Sequence, residues 1–374
     1  MPQESSVRAA LSTVNDPEIG RPITELGMVD GVQIGDDGRV VVRVLLTVAG
    51  CPMKAELTRG VTEAVTRVEG VTSVSVELGV MSDAQRTELR QQLRGDAPQN
   101  EIPFAQPGSR TRVYAVASGK GGVGKSSVTV NLAVALAQKG LSVGVVDADI
   151  YGFSVPRMLG VEGKPTQVDN MIMPPSAHGV KVISIGMFTP GNTAVVWRGP
   201  MLHRALNQFL ADVFWGDLDV LLMDLPPGTG DIAISVAQLV PSAELLIVTT
   251  PQLAAREVAE RAGSIALQTH QQIVGVVENM SWLQLPDGSR LEVFGSGGGQ
   301  AVADSLTTTT GTRVPLLGQI PLDQAVREGG DGGLPVVLSA PGSAAAEALQ
   351  GVADALAARS RSLVGRSLGL TPVR

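Results

Sequence analysis

A single cysteine in 374 residues excludes an internal disulfide. Aromatic residues are only 3% of the chain, so a core has to be packed from Val, Leu, Ile and Ala. The three histidines, His178, His203 and His270, stand apart from one another and show no metal-ligand spacing. Charged residues are 17% and the net charge is −7, a balance that argues against nucleic acid as a main partner. No stretch reaches the roughly 18 uninterrupted apolar residues of a membrane span, so stable membrane insertion is not expected. The start, MPQESSVRAA, has no basic segment leading into an apolar one, and the expected location is the cytoplasm.

What is present is a 44% hydrophobic chain long enough for two domains. Residues 5–94 read as a small α+β unit. A helix over 5–14 leads to two strands, 29–34 and 40–47, joined at the hairpin signal Gly35-Asp36-Asp37-Gly38. A helix over 52–68, a strand over 71–78 and a helix over 82–93 complete it. The Pro-, Gly- and polar-rich stretch GDAPQNEIPFAQPGSR marks a linker. The expected division is therefore 1–94, linker 95–110, and 111–374. From Thr111 onward, aliphatic strands alternate with longer helices. Strands are expected at 112–117, 143–147, 182–185, 220–224, 245–249, 274–278 and 316–320. Continuous apolar runs of this kind suit a doubly wound, mostly parallel sheet covered on both faces, an α/β fold. A last helix is expected over 343–358, with a loose tail after it.

The segment Ser118-Gly119-Lys120-Gly121-Gly122-Val123-Gly124-Lys125-Ser126-Ser127 fits G-x-x-x-x-G-K-[ST] between a strand and a helix. Backbone N–H groups of such a loop cradle nucleotide phosphates, here expected from Gly119 through Ser127. Lys125 is placed to reach the β- and γ-phosphates of ATP, and Ser126 to ligate Mg²⁺. Lys120 is a second lysine that this cradle does not require. Its charge suits a phosphate outside its own loop, across a homodimer interface.

Ligands of open α/β sheets bind at the C-terminal ends of strands, where acids are therefore informative. Asp224 ends DVLLMD and precedes Leu225-Pro226-Pro227-Gly228-Thr229-Gly230-Asp231. Beside Ser126 it would hold the Mg²⁺ shell, and the turn after it would sense the γ-phosphate through a backbone N–H. In Val146-Asp147-Ala148-Asp149, alternation puts both acids on one side. Asp147 is the one nearer the metal, and Asp149 the candidate for orienting the attacking water. Catalysis is thus assigned to Lys120, Lys125 and Asp149. Asn279 closes a further strand with an amide able to bond an adenine edge, and Pro321 and Asp323 follow the last strand as closers of a base pocket. Cys51 ends a strand and precedes Pro52 at a helix start, where a thiol has a lowered pKa. It is either a thiolate ligand or nucleophile, or a small buried residue.

Taken together, GKGGVGKSSVTVNLA, DADIYG, DLPPGTGD, ENMSW, FGSGGG and GQIPLDQAVREGGDGG resemble the Mrp/ApbC-type ATPases, deviant-Walker-A P-loop proteins that act as iron–sulfur cluster carriers. DPEIGRPITELGMV and TVAGCPMK are similar to the small iron–sulfur-assembly-type domain found N-terminal to them. The resemblance implies an ATP-dependent homodimer that binds a [4Fe–4S] cluster and passes it to apo iron–sulfur proteins. It also implies roles for Lys120 as signature lysine and for Asp149 and Asp224 as switch acids. Two departures stand out. Between Asn279 and Gly295, where many members carry C-x-x-C, this chain reads MSWLQLPDGSRLEVF. A dimer then offers two thiolates, both Cys51, against the four of a bridged cluster. Phe153 stands where proline is more usual. The missing pair favours an alternative, a nucleotide-switched scaffold resembling MinD or ParA that carries no cluster. The tail from Arg359 to Arg374 has basic and apolar residues, with an apolar face too short to anchor it firmly to a membrane.

Overall fold

The computed structural model describes residues 2–47, 53–94, 101–106, 108–149, 152–168, 171–188, 199–228, 231–252 and 255–359. In chain order the elements begin with α1 (Glu4–Leu11), β1 (Val29–Ile34), β2 (Arg39–Leu46), α2 (Lys54–Thr66), β3 (Ser73–Val80) and α3 (Asp83–Arg94). Then come β4 (Arg112–Ala117), α4 (Lys125–Gln138), β5 (Val143–Asp147), α5 (Val155–Met158), β6 (Thr166–Val168), β7 (Met171–Met173), β8 (Ser176–Ala177) and β9 (Val180–Ser184). They are followed by α6 (Gly199–Ala211), β10 (Val220–Asp224), α7 (Asp231–Leu239), β11 (Glu244–Thr249), α8 (Ala255–Thr269), β12 (Ile273–Gln284) and β13 (Arg290–Leu291). The series closes with α9 (Gly298–Thr310), β14 (Leu316–Leu322), α10 (Gln324–Gly332), α11 (Val336–Ser339) and α12 (Ala344–Ala358). Two compact units result. One comprises Met1–Glu101, Gly163–Pro175 and Asp212–Gly216, the other Ile102–Glu162, Ser176–Ala211 and Asp217–Arg374.

In the first unit, β1 and β2 form the expected antiparallel hairpin, and β3 adds parallel to β2. Gly38 closes the turn at φ +77°, a left-handed conformation that a side chain resists. Val40, Val42 and Val44 alternate inward on β2 and meet Leu57, Val61 and Val65 of α2, the i, i+4, i+8 stripe of a buried helix face. The same core takes in Val168, Met171 and Met173 from the β6–β7 hairpin, and Phe214. Nothing in the periodicity of 163–175 announces this, because three-residue strands carry too few positions to show a period. Asp16 is buried and accepts from the backbone N–H groups of Glu18 and Ile19, closing the DPEIG turn. Burial, then the charge of Asp16, pushes the Glu18 carboxyl up to about 7, while Thr166 donates to it at 3.4 Å.

In the second unit a nine-stranded sheet runs β13-β12-β11-β4-β10-β5-β9-β8, with β14 also paired to β12. The pairs from β12 through β9 and β12–β14 are parallel, and only β8 and β13 join antiparallel. Every residue of β5 and of β10 is buried, as strands covered on both faces require. One group of neighbouring helices contains α4, α5, α10, α11 and α12, and another runs α6, α7, α8, α9. This is the doubly wound α/β arrangement. Among the described residues β12 is longer than the sequence suggested, ending at Gln284, and β13 pairs back onto it. The tail after Arg359 lies outside the described residues.

The Glu18 carboxyl sits above its ordinary value, so the folded chain holds a proton there that the unfolded chain releases. The sign follows: this group's contribution to stability falls as pH rises from about 4.5 to about 7. Glu18→Gln is expected to flatten that part of the pH dependence, read as urea unfolding midpoints between pH 5 and 8.

Candidate nucleotide site

β4 delivers the chain to the C-terminal edge of the sheet, and α4 begins at Lys125. The loop between them is held from several sides. The Ser118 hydroxyl donates to the Lys120 carbonyl at 3.0 Å, and the Gly228 N–H donates to the Ser118 carbonyl at 2.8 Å. The Asn279 amide donates to the Val123 carbonyl at 2.9 Å. Gly124 has φ +78°, and a Cβ there would lie 2.2 Å from the Asn279 amide nitrogen. The left-handed φ already strains any side chain, and a Cβ would also push the Asn279 amide off its bond to the loop, which explains the glycine by geometry.

Lys125 is 5% exposed and its Nζ lies 2.6 Å from Asp224 Oδ1. The Ser126 hydroxyl donates to Asp224 Oδ2 at 2.6 Å, and the Thr129 hydroxyl donates to Oδ1 at 2.9 Å. Lys125 and Thr129 stand four apart on α4, one turn of the same face. That spacing is the signal that could have found Thr129, which sequence reasoning missed. The cluster offers hard oxygen donors, Ser126 Oγ and Asp224 Oδ2, beside a helix N-terminus and a phosphate loop, a donor set that fits Mg²⁺.

Asp147 is the register partner of Asp224 on the neighbouring strand. Burial, and next the Asp224 charge, pushes its carboxyl up to about 8. Its oxygens accept from the Ser184 hydroxyl at 3.1 Å and from the N–H groups of Val155 at 3.3 Å and Asp149 at 3.2 Å. These bonds tie it to β9 and α5. Asp149 is nearly buried and accepts from the Gly152 N–H at 3.1 Å. The Pro-Pro-Gly turn directs its Gly228 N–H to the phosphate loop, and Thr229 and Gly230 lie outside the described residues.

Asn279, Pro321 and Asp323 come together with Gly124, Ser127 and Arg327 around a cavity of about 210 Å³ next to the loop. Asp323 also caps α10, accepting from the Ala325 N–H at 2.8 Å. Lys120 Nζ donates to the side-chain oxygen of Gln252 of the same chain, a partner the sequence did not suggest. Glu278 is buried and accepts from the Gly299 N–H at 2.5 Å and from Gln319 at 2.7 Å, joining β12, α9 and β14. Cys51 lies outside the described residues. Among the described residues no three His, Cys, Asp or Glu side chains converge as a metal site, and no helix is long and apolar enough to cross a membrane.

The model of the family described as NUBPL iron-transfer P-loop NTPase matches residues 109–357, and that described as iron-sulfur cluster assembly protein matches residues 4–93. The chain belongs to the iron-transfer P-loop NTPases. A relative from Mycobacterium tuberculosis (strain ATCC 25618 / H37Rv), named iron-sulfur cluster carrier protein, is 67% identical over 370 residues, 99% of this chain and 97% of its own length. A relative of the same name from Deinococcus radiodurans is 44% identical over 352 residues, 93% of each chain. Among solved structures, a nucleotide-binding protein from Archaeoglobus fulgidus in complex with ADP is 33% identical with a TM-score of 0.51, covering 67% of this chain and 91% of that one. In this family member the phosphate loop, its strand-end acids and the lining of the cavity are thus parts of one P-loop fold.

Asp224→Ala leaves the buried Lys125 ammonium without its counter-ion and is expected to destabilise the nucleotide-free protein by about 3 kcal/mol. Asp224→Asn keeps an acceptor oxygen and is expected to cost less. Denaturant unfolding of both variants checks the order.

Proposed function

We propose that this chain is an ATP-hydrolysing homodimer that carries an iron–sulfur cluster and passes it to apo iron–sulfur proteins. The observation that carries the nucleotide part is the buried convergence of Lys125, Ser126 and Thr129 on Asp224 at the C-terminal edge of the sheet, beside a cavity of suitable place. The carrier part is supported by the full-length likeness to proteins named iron-sulfur cluster carriers.

Lys125 pairs with Asp224. Phosphates in the loop would draw the ammonium and the loop N–H groups toward themselves, since a phosphate is the stronger anion and is met by the positive end of α4. Ser126 and Asp224 would then hold Mg²⁺, which supplies charge neutralisation on the β- and γ-phosphates. Asn279 and Asp323 would orient the base, with Pro321 closing the pocket. Asp149, on the segment after β5, would position the attacking water. Lys120 would reach a phosphate of the partner subunit. Hydrolysis would reset the segments after β5 and β10, the first of which carries Asp149 while the second bonds to the loop through the Gly228 N–H.

The cargo has an unusual ligand supply. With one cysteine per chain, a cluster held by the dimer takes Cys51 from both subunits and fills its other corners with non-cysteine or external donors. Anaerobic reconstitution with iron and sulfide is expected to give a cluster chromophore that moves to an apo acceptor and is lost in Cys51→Ala. Hydrolysis of ATP without any chromophore would instead support the MinD/ParA-like scaffold, the reading that the missing C-x-x-C pair favours.

Lys120→Ala is expected to lose most ATP hydrolysis while a fluorescent ATP analogue still binds, because the charge acts on the partner's nucleotide. Unchanged hydrolysis in steady-state assays would remove the trans role.

A further inference from the structure

β11 lies parallel beside β4, with Ile247 in register with Ala117. The chain therefore leaves both strands side by side at the C-terminal edge, the phosphate loop from one and Thr250-Pro251-Gln252 from the other. That juxtaposition brings the Gln252 amide oxygen to the Lys120 ammonium. The acceptor that meets this cation is a neutral amide. The Gln252 side chain is itself exposed, but the backbone that leads to it is closely packed. Gly298, at the start of α9, packs so closely behind the segment that a Cβ there would lie 2.5 Å from the Pro251 carbonyl oxygen and 2.7 Å from that of Thr250. Thr250 is itself buried. On the lysine's side, the Ser118 hydroxyl fixes the Lys120 carbonyl.

We propose that Gln252 is a holding residue for Lys120. In a single chain it keeps the ammonium against its own subunit, and association of two nucleotide-bound chains exchanges that hydrogen bond for a phosphate of the partner. The choice of an amide matters. A carboxylate would turn this hydrogen bond into a full ion pair and would neutralise the lysine before it met a phosphate. An amide oxygen orients the cation but leaves its full charge available. Gln252 thus acts through Lys120 as a positioning residue, and the inference rests on the trans role proposed for that lysine.

The test uses the full-length protein and measures ATP hydrolysis against protein concentration, with binding of a fluorescent ATP analogue followed separately. Gln252→Glu is expected to need about tenfold more protein for half-maximal activity. Gln252→Ala, and Gln252→Asn whose shorter amide does not reach, are expected to need about threefold less. Analogue affinity should stay unchanged in all three. Shifts of Gln252→Glu and Gln252→Ala in the same direction, no shift in any variant, or a changed analogue affinity would each overturn the holding role. Lys120→Ala serves as the separate arm. If it hydrolyses ATP like the parent, the trans role fails; if it is inactive while the position-252 variants shift nothing, only the holding role fails.

Discussion

A carboxylate with no solvent exposure, Asp224, faces a nearly buried ammonium, Lys125, and the site is organised around that pair. Removing both charges from water is costly, and their attraction offsets the cost only when the remaining lone pairs are also satisfied. Ser126 and Thr129 do this, each from α4, so a single helix presents three donors to one strand end. The pair therefore fixes how α4 sits over β10. Burial is the main cause of the rise at Asp147, and the charge of Asp224, its neighbour in register, adds to it.

Around this pair the phosphate loop is over-determined. Asn279 comes from β12, Gly228 from the turn after β10, and both bond to backbone of the loop. Cradles of this kind work because their N–H groups are aimed before the anion arrives, and each bond from outside the loop removes freedom that binding would otherwise have to freeze. Asn279 stands in two places at once: it braces the loop with its NH₂ group and lines the neighbouring cavity. Loop shape and cavity lining thus share one side chain.

Much of this was legible along the chain. The strands β4, β5 and β10 announced themselves as short, largely apolar runs, and the acids that end β5 and β10 stood at the edge where α/β sheets bind ligands. The glycine loop with its two lysines was recognisable because phosphate cradles need local backbone freedom at fixed spacing. Less was visible where short or distant pieces meet. The β6–β7 hairpin and Phe214 enter the core of the first unit from far along the chain, and three-residue strands leave no period to read. Thr129 resembled an ordinary helix-face residue, and Gln252 an ordinary loop polar residue.

What the sequence by itself determined was the set of groups and their local geometry: the phosphate loop, the strand-end carboxylates, the lone cysteine and the absence of a cysteine pair near residue 280. These depend on spacing within a few residues, where backbone geometry alone puts side chains in reach. Tertiary structure decided the partnerships. Asp147 and Asp224, 77 residues apart, become neighbours through parallel register, and Lys120 meets Gln252 only because β11 lies beside β4. Such contacts follow from strand order, a property of the whole sheet that no local window of residues contains.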